Sequence, residues 1–174
     1  MAFVYVSNAV SGDIIMLHMA GNGELSLQSP CQLAGSLAPM AISPGKKMLY
    51  VAQRGDLNAI VSLAIHSLTG ELTQLAVTPL SAKMSYLARD HSGAYLLAAS
   101  YHSHHISVLS LGVDGLPFGK EHLYETPKHP HSVLMSQCSH THHRRKLMQR
   151  RWVRIISFQL RAKASITSTA STLI

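Results

Sequence analysis

The fold is decided by the stretch Ala41-Ile42-Ser43-Pro44-Gly45-Lys46-Lys47-Met48-Leu49-Tyr50-Val51-Ala52-Gln53, a polar turn that leads into a short apolar run. The same pattern returns 47 residues later as Ala88-Arg89-Asp90-His91-Ser92-Gly93-Ala94-Tyr95-Leu96-Leu97-Ala98-Ala99-Ser100. Such a pattern is typical of a turn that opens a buried strand. A shorter copy, Phe3-Val4-Tyr5-Val6-Ser7, precedes the run Met48 to Ala52 by 45 residues. Three copies at this spacing predict a repeat architecture.

Each repeat is predicted to contain four short strands joined by tight turns. In the first repeat, Ile14 to Met19 and Leu25 to Gln28 flank Gly21-Asn22-Gly23, whose glycines suit the positive φ angles of a hairpin. Helix signals are absent, and four short strands per repeat are typical of a β-propeller blade. The sequence therefore predicts an all-β fold, a β-propeller fragment with about three four-stranded blades that cover residues 1–46, 47–92 and 93–136.

The repeat pattern stops near residue 137. A fourth unit begins at His131-Ser132-Val133-Leu134-Met135-Ser136, but no glycine-bearing hairpin follows it. Residues 1–137 hold seven basic and all eight acidic side chains, whereas residues 138–174 hold eight basic and no acidic ones. The net charge of +7 therefore belongs to the end of the chain. We interpret residues 137–174 as an irregular basic tail, and the abrupt change in composition favours a shifted reading frame or disorder.

The composition narrows the class and location of the protein. Apolar residues make up 47% of the 174 residues and charged residues 13%, which indicates extensive burial. No run of 18 apolar residues predicts a transmembrane helix, and the start of the chain lacks the basic region of a signal peptide. Cys31 and Cys138 have no metal-ligand spacing and suit reduced thiols, with a disulfide between them as the less favoured alternative. We expect a cytoplasmic protein.

Five pieces of the sequence resemble, in order, the seven-bladed β-propeller lactonases. This family includes the bacterial 6-phosphogluconolactonase of the propeller type and the fungal carboxymuconate lactonising enzyme. Each piece is a weak signal alone, but the ordered set is fairly specific. The family needs about twice this length to close seven blades, so the resemblance implies a truncated propeller. The pieces are Val4–Asn8, Ile42–Val51, Thr69–Leu72, Asp90–Tyr101 and His129–Ser132.

The resemblance implies a carboxylic-ester hydrolase that converts a sugar lactone, such as 6-phosphogluconolactone of the pentose phosphate pathway, to its acid. No Gly-rich phosphate loop opens a helix in the sequence, so we expect no organic cofactor. It makes His131 the candidate general acid or base, because histidine moves protons near neutral pH. Arg54, Tyr101 and His102 are the candidates for binding the anionic lactone. The acidic and further arginine site residues of the family lie in later blades and have no counterpart here. We therefore expect the ancestral activity to be weakened or lost.

Plainer structural roles stand beside these functional ones. His131 is as readily an ordinary turn histidine, and Arg54, Tyr101 and His102 are somewhat more readily solvated turn residues. A metal site at His102, His104 and His105 is disfavoured, since no Cys or Asp stands at a zinc-ligand spacing. Strand alternation would also put His105 on the face opposite to the other two histidines.

Two other classes of function remain open at this point. The chain could be a non-catalytic binding or scaffold module that self-associates through open blade edges to complete a ring. The basic tail, with His140, His142 and His143 beside Arg144-Arg145-Lys146, could instead attract nucleic acid without sequence specificity. The expected partner is a small sugar lactone, with nucleic acid less favoured and no membrane partner.

Overall fold

The computed structural model describes residues 2–135, and every regular element in that range is a β-strand. The twelve strands form three antiparallel sheets of four strands each, as the repeat pattern predicts. No helix in this range is long and apolar enough to cross a membrane. The first sheet contains β1 (Ala2–Ser7), β2 (Asp13–Met19), β3 (Leu25–Leu27) and β4 (Cys31–Gln32). The second contains β5 (Ser36–Ile42), β6 (Met48–Arg54), β7 (Ala59–Ile65) and β8 (Leu72–Pro79). The third contains β9 (Tyr86–Arg89), β10 (Tyr95–Ser100), β11 (His105–Leu111) and β12 (Pro117–Glu125).

The second and third sheets have the same plan, and the first differs from it. In both complete sheets the strands pair in chain order, so that β5 pairs with β6 and β9 pairs with β10. We call β5 and β9 lead-in strands. The first sheet has no lead-in strand among residues 2–135. Its strand β1 corresponds to β6 and β10 of the other sheets, but it lies at the edge of the sheet. Its outer position is shared, because β3 and β4 both pair with β2.

The apolar core lies between neighbouring sheets. Successive side chains of β6 point to opposite faces of its sheet, and another sheet packs on each face. The strand is therefore buried on both faces over Met48–Ala52. Leu49 and Val51 pack with Ile14 of the first sheet, whereas Tyr50 and Ala52 pack with Leu96 and Ala98 of the third sheet. The outer strands β8 and β12 are mostly exposed. The continuous apolar runs of the sequence therefore become the central strands of stacked sheets.

Two tyrosines join successive sheets by equivalent hydrogen bonds. The Tyr5 hydroxyl of β1 donates to the carbonyl of Gly70 at 2.6 Å, and the Tyr50 hydroxyl of β6 donates to the carbonyl of Gly115 at 2.6 Å. Both glycines lie in the hairpin before the outer strand of the next sheet and have φ angles of 75° and 80°. The two bonds therefore join each pair of successive sheets at equivalent positions.

Several predictions concern residues outside the described range. The basic tail of residues 137–174, the shift of reading frame, the partner of Cys138 and the histidines of the tail all lie beyond residue 135. Cys31 is described and carries a free thiol, whose pKa is raised by its partial burial.

Candidate functional site

The candidate residues lie on one rim of the stacked sheets. Each sheet has a turn after one of three equivalent strands: residues 8–12 after β1, residues 55–58 after β6 and residues 101–104 after β10. Because these strands are equivalent in their sheets, the three turns emerge on the same side of the molecule. His131 joins this rim from further along the chain, since it contacts Tyr101 in the turn of the third sheet.

Tyr101 is the centre of an aromatic cluster at this rim. The ring of His102 stands edge-on to the Tyr101 ring with centroids 5.2 Å apart, and the ring of His131 does the same at 6.1 Å. Tyr101 is half-buried, whereas His102 and His131 are exposed. The structure therefore brings together three of the four residues that the resemblance singled out, and leaves both histidines open to solvent.

His129 is a fourth member of the cluster that the sequence analysis did not single out. Its ring stacks on Tyr101 with centroids 4.4 Å apart and an interplanar angle of 28°. Its Nδ1 lies 3.2 Å from the carbonyl oxygen of Tyr101, which can only accept, so this nitrogen carries the proton. The available signal was the His-Pro-His spacing, which places two histidines on alternate positions beside Tyr101.

His104 holds His129 in place from the other side. The backbone N–H of His129 donates to Nδ1 of His104 at 3.1 Å, which keeps that nitrogen unprotonated. Both residues adopt a left-handed backbone, with φ of 55° at His104 and 64° at His129. This conformation is uncommon for residues other than glycine, although histidine tolerates it better than most.

The predicted alternation of His102, His104 and His105 is wrong, because the first two lie in a turn. Residues 101–104 form that turn, and β11 begins only at His105, which is buried. His104 and His105 are engaged separately, by His129 and by the carbonyl of Ser103 at 3.2 Å. No group of three or more His, Cys, Asp or Glu side chains among residues 2–135 is arranged to hold a metal ion.

Arg54 lies at the same rim but belongs to the second sheet. Its guanidinium donates from Nε to the carbonyl of Met84 at 3.1 Å, and Nη2 contacts the same oxygen. The next residue, Ser85, accepts the N–H of Tyr101 at 3.4 Å through its hydroxyl. Arg54 and the Tyr101 cluster are therefore joined through the short segment Met84–Ser85, and Nη1 is the guanidinium nitrogen that this carbonyl does not engage.

A carboxylate occupies the rim of the first sheet. Asp13 accepts from the Asn8 side-chain amide at 3.2 Å and from the Ser11 hydroxyl. The Ser11 hydroxyl, followed by the Asn8 amide, lowers the pKa of the Asp13 carboxyl. This group stays ionised in mildly acidic solution and gives the rim one fixed negative charge.

The opposite rim carries an unrelated cleft of about 490 Å³ between the second and third sheets. It is lined by the turns that precede β6 and β10 and includes Lys47, Arg89 and His91. Arg89 lies 5.3 Å from the centre of the Tyr50 ring and donates to the carbonyl of Gly93. Because these turns lie at the starts of β6 and β10, whose ends carry Arg54 and the Tyr101 cluster, the cleft and the candidate rim are separated by the length of a strand.

The aromatic cluster has the chemical groups that hydrolysis of an ester requires. An exposed imidazole can accept a proton from water, and a phenol or a second imidazole can donate to a developing oxyanion. A guanidinium nearby can bind a phosphate or carboxylate. This rim has both the imidazole and phenol groups, around Tyr101, and a guanidinium, that of Arg54 in the second sheet.

Comparison with known proteins identifies relatives by sequence. The family described as lactonase, 7-bladed beta-propeller, matches residues 2–153. The 6-phosphogluconolactonase of Pectobacterium carotovorum is 34% identical over 113 residues, which is 65% of this chain and 33% of that protein. The 6-phosphogluconolactonase of Cronobacter sakazakii is 31% identical over 139 residues, which is 79% of this chain and 41% of that protein. The chain therefore spans between a third and about two fifths of these relatives.

Solved structures give the same fold. The periplasmic gluconolactonase of Pseudomonas aeruginosa superimposes with a TM-score of 0.67 at 23% identity, over 73% of this chain and 38% of that one. A protein from Desulfotomaculum acetoxidans superimposes with a TM-score of 0.65 at 12% identity, over 78% of this chain and 42% of that one. The repeated sheets, the ordered motifs and the family match over residues 2–153 lead to one conclusion. The chain belongs to the seven-bladed β-propeller lactonase family.

Proposed function

We propose that the rim around Tyr101 is a lactone-hydrolysing site whose substrate is a phosphorylated sugar lactone such as 6-phosphogluconolactone. The observation that carries the proposal is the meeting of Tyr101, His102 and His131 in a member of a lactonase family. The names of the relatives support the lactone as substrate class.

In the proposed reaction His131 acts as the general base. Its imidazole takes a proton from water while the water oxygen attacks the lactone carbonyl carbon, which gives a tetrahedral oxyanion. The Tyr101 hydroxyl and the His102 ring donate to that oxyanion. The bond between the carbonyl carbon and the ring oxygen then breaks, and the imidazolium returns its proton to the ring oxygen. The products are a hydroxyl group and a carboxylic acid, which ionises and acidifies the solution.

Arg54 is proposed to bind the phosphate of the substrate. Two of its guanidinium nitrogens are fixed on the carbonyl of Met84, which orients the planar group. A guanidinium whose direction is set in advance binds an anion with less loss of side-chain entropy. Arg54 would therefore contribute to substrate affinity rather than to the chemical step.

The test is acid release from 6-phosphogluconolactone in excess of the spontaneous rate, measured for the purified chain and two variants. We expect His131→Ala to lower the excess rate by about a hundredfold or more, the usual contribution of a general base. His91→Ala is the matched control, because His91 is also exposed but lies on the opposite rim. A background rate for the unmodified chain, or an equal loss in both variants, would contradict the proposed site.

Arg54→Ala tests the assignment of the phosphate. We expect KM for the phosphorylated lactone to rise while KM for the unphosphorylated lactone stays unchanged, because only the first carries the bound anion. An equal rise for both substrates would show that Arg54 holds the rim together through Met84 and does not bind phosphate.

A further inference from the structure

The cleft on the rim opposite to the Tyr101 cluster lies between two complete sheets. Its walls are the turns that precede β6 and β10 and the hairpin between β11 and β12. Its lining residues all fall between Ser43 and Gly115, and the turns that carry them connect strands of the second and third sheets. The volume of about 490 Å³ is in the range of pockets that hold small molecules. The cleft is therefore a feature of the contact between these two sheets and not of an open end of the chain.

Arg89 presents a guanidinium to this cleft whose direction is already set. Nη2 donates to the carbonyl of Gly93, and the group lies over the Tyr50 ring with Cζ 5.3 Å from the ring centre. A Cβ on Gly93 would lie 2.8 Å from Nη2, so the glycine makes room for this contact. Nε is buried and has no hydrogen-bond partner within residues 2–135. The guanidinium therefore keeps N–H groups that a ligand with several acceptor oxygens could engage.

The permanent cations of the cleft outnumber its carboxylates. Lys47 is exposed on the wall that the second sheet forms, and Arg89 lies on the wall of the third. Asp114 is the one carboxylate among the lining residues, and its Oδ1 accepts the N–H of Leu116 at 3.0 Å. The carboxylate of Asp90 is buried and accepts backbone N–H groups of its own turn. The balance of charge in the cleft therefore favours an anionic ligand.

We propose that this cleft binds the phosphate group of a small phosphate ester. A guanidinium donates two parallel hydrogen bonds to phosphate oxygens, and an ammonium group binds phosphate as a point charge. Lys47 supplies its charge from the second sheet and Arg89 from the third, so a bound phosphate would join the two walls. The volume leaves room for the organic part of the ester, beside the apolar side chains of Met48 and Leu111.

This phosphate site shares no residue with the rim around Tyr101, so it stands independently of the proposed lactone hydrolysis. Backbone amide resonances can tell the two places apart. In a chain that carries isotope-labelled glycine, Gly45, Gly93 and Gly115 report on the cleft, whereas Gly55 reports on the turn beside Arg54. A ligand is therefore located by which of these signals it moves.

Titration with glucose 6-phosphate tests the site and its ligand class. We expect this ester to shift the three glycine signals of the cleft until they saturate, and glucose at the same concentrations to leave them unmoved. Inorganic phosphate should saturate the same signals only at severalfold higher concentration, because it makes no contact beyond the phosphate group. Equal affinities for the ester and the free ion would reduce the site to an adventitious ion only. Signals that move only at Gly55 would overturn the proposal and place the phosphate on the other rim.

Substitutions of exposed side chains test the charges without disturbing the core. We expect Lys47→Gln to weaken the binding of glucose 6-phosphate about fivefold, as for the loss of one exposed charge pair. Lys46→Gln is the matched control that should leave the affinity unchanged, because Lys46 is exposed in the same turn but does not line the cleft. Asp114→Asn keeps an oxygen for the N–H of Leu116 and removes the negative charge, so it should tighten binding severalfold. Equal losses in the two lysine variants, or weaker binding in Asp114→Asn, would overturn the proposal.

Discussion

The contact between the first and second sheets and the contact between the second and third sheets use the same bond in different surroundings. Tyr5 and Tyr50 both donate at 2.6 Å to a hairpin glycine 65 residues away. Tyr50 is fully buried, with Arg89 against its ring, whereas Tyr5 remains partly exposed. The difference arises because β6 packs between the first and third sheets, whereas β1 is the edge strand of the first sheet. The two hydrogen bonds have the same length, but because their burial differs we expect unequal contributions to the free energy of unfolding.

The largest expected effect comes from removing each tyrosine. We expect Tyr50→Ala to lower the free energy of unfolding by about 3–5 kcal/mol, because truncating a buried aromatic residue leaves a cavity in the core. Tyr5→Ala should cost clearly less, since part of its surface is already in water and its edge can relax. Urea denaturation of both variants measures the difference. Equal losses would mean that the first interface is as well packed as the second.

A smaller effect is expected from filling the space at the acceptor glycine. A Cβ on Gly70 would lie 2.6–2.8 Å from atoms of the Phe3 ring, and its φ of 75° is strained for alanine. We expect Gly70→Ala to cost about 2–4 kcal/mol from strain and overpacking together. Gly23→Ala is the matched control, because its φ is 86° and nothing lies within 4 Å of the added Cβ.

The control separates the two causes of that loss. Gly23→Ala should cost about 1–2 kcal/mol from backbone strain alone. Combining Gly70→Ala with Phe3→Ala should bring the cost of the glycine change down to that same value, since the ring that it meets is gone. A double variant that shows no such coupling would place the cost of Gly70→Ala in the turn and not in the interface.

Removing only the hydroxyl groups should separate the two bonds themselves. We expect Tyr50→Phe to cost about 1–3 kcal/mol, because it leaves the Gly115 carbonyl without its partner in a buried place. Tyr5→Phe should cost about 0.5–1.5 kcal/mol, since water can replace the lost donor at the more open contact. Thermal unfolding of the two variants in parallel provides the measurement, and a larger loss for Tyr5→Phe would reverse the comparison.

The smallest effect is a dependence of stability on alkaline pH. Burial raises the pKa of Tyr50, opposed by the charge of Arg89 and reinforced by that of Asp114, and burial also raises the pKa of Tyr5. The folded chain then holds these protons more tightly than the unfolded chain. Their contribution is complete below about pH 10, the ordinary tyrosine value, and is lost as the pH rises through the folded pKa.

Each of the two Tyr→Phe variants should therefore lose less stability between neutral and alkaline pH than the unmodified chain. Urea midpoints over that range test this expectation, with Tyr124→Phe on the exposed face of β12 as the control. A decline that is unchanged in both interface variants would show that other groups, such as the lysines, control the alkaline behaviour.

The aromatic cluster at the rim was partly predictable. The resemblance singled out Tyr101, His102 and His131 as separate candidates, and the structure shows that the Tyr101 ring contacts the rings of both histidines. It did not indicate His129 or the role of His104, because their contact joins residues 25 positions apart through a left-handed backbone. Neither periodicity nor composition carries information about such a pairing. The roles of these residues in catalysis stay predictions.

The sequence by itself determined the local pattern of this protein. Its alternation, hairpin glycines and repeated apolar runs specify short strands, and the strands of the second and third sheets pair in chain order because such pairing depends on local residues. Only the tertiary structure decided which faces of neighbouring sheets meet: Leu49 of β6 packs on the first sheet and Tyr50 on the third. Which strand lies beside which depends on stacking between sheets, and residues far apart in the chain meet there.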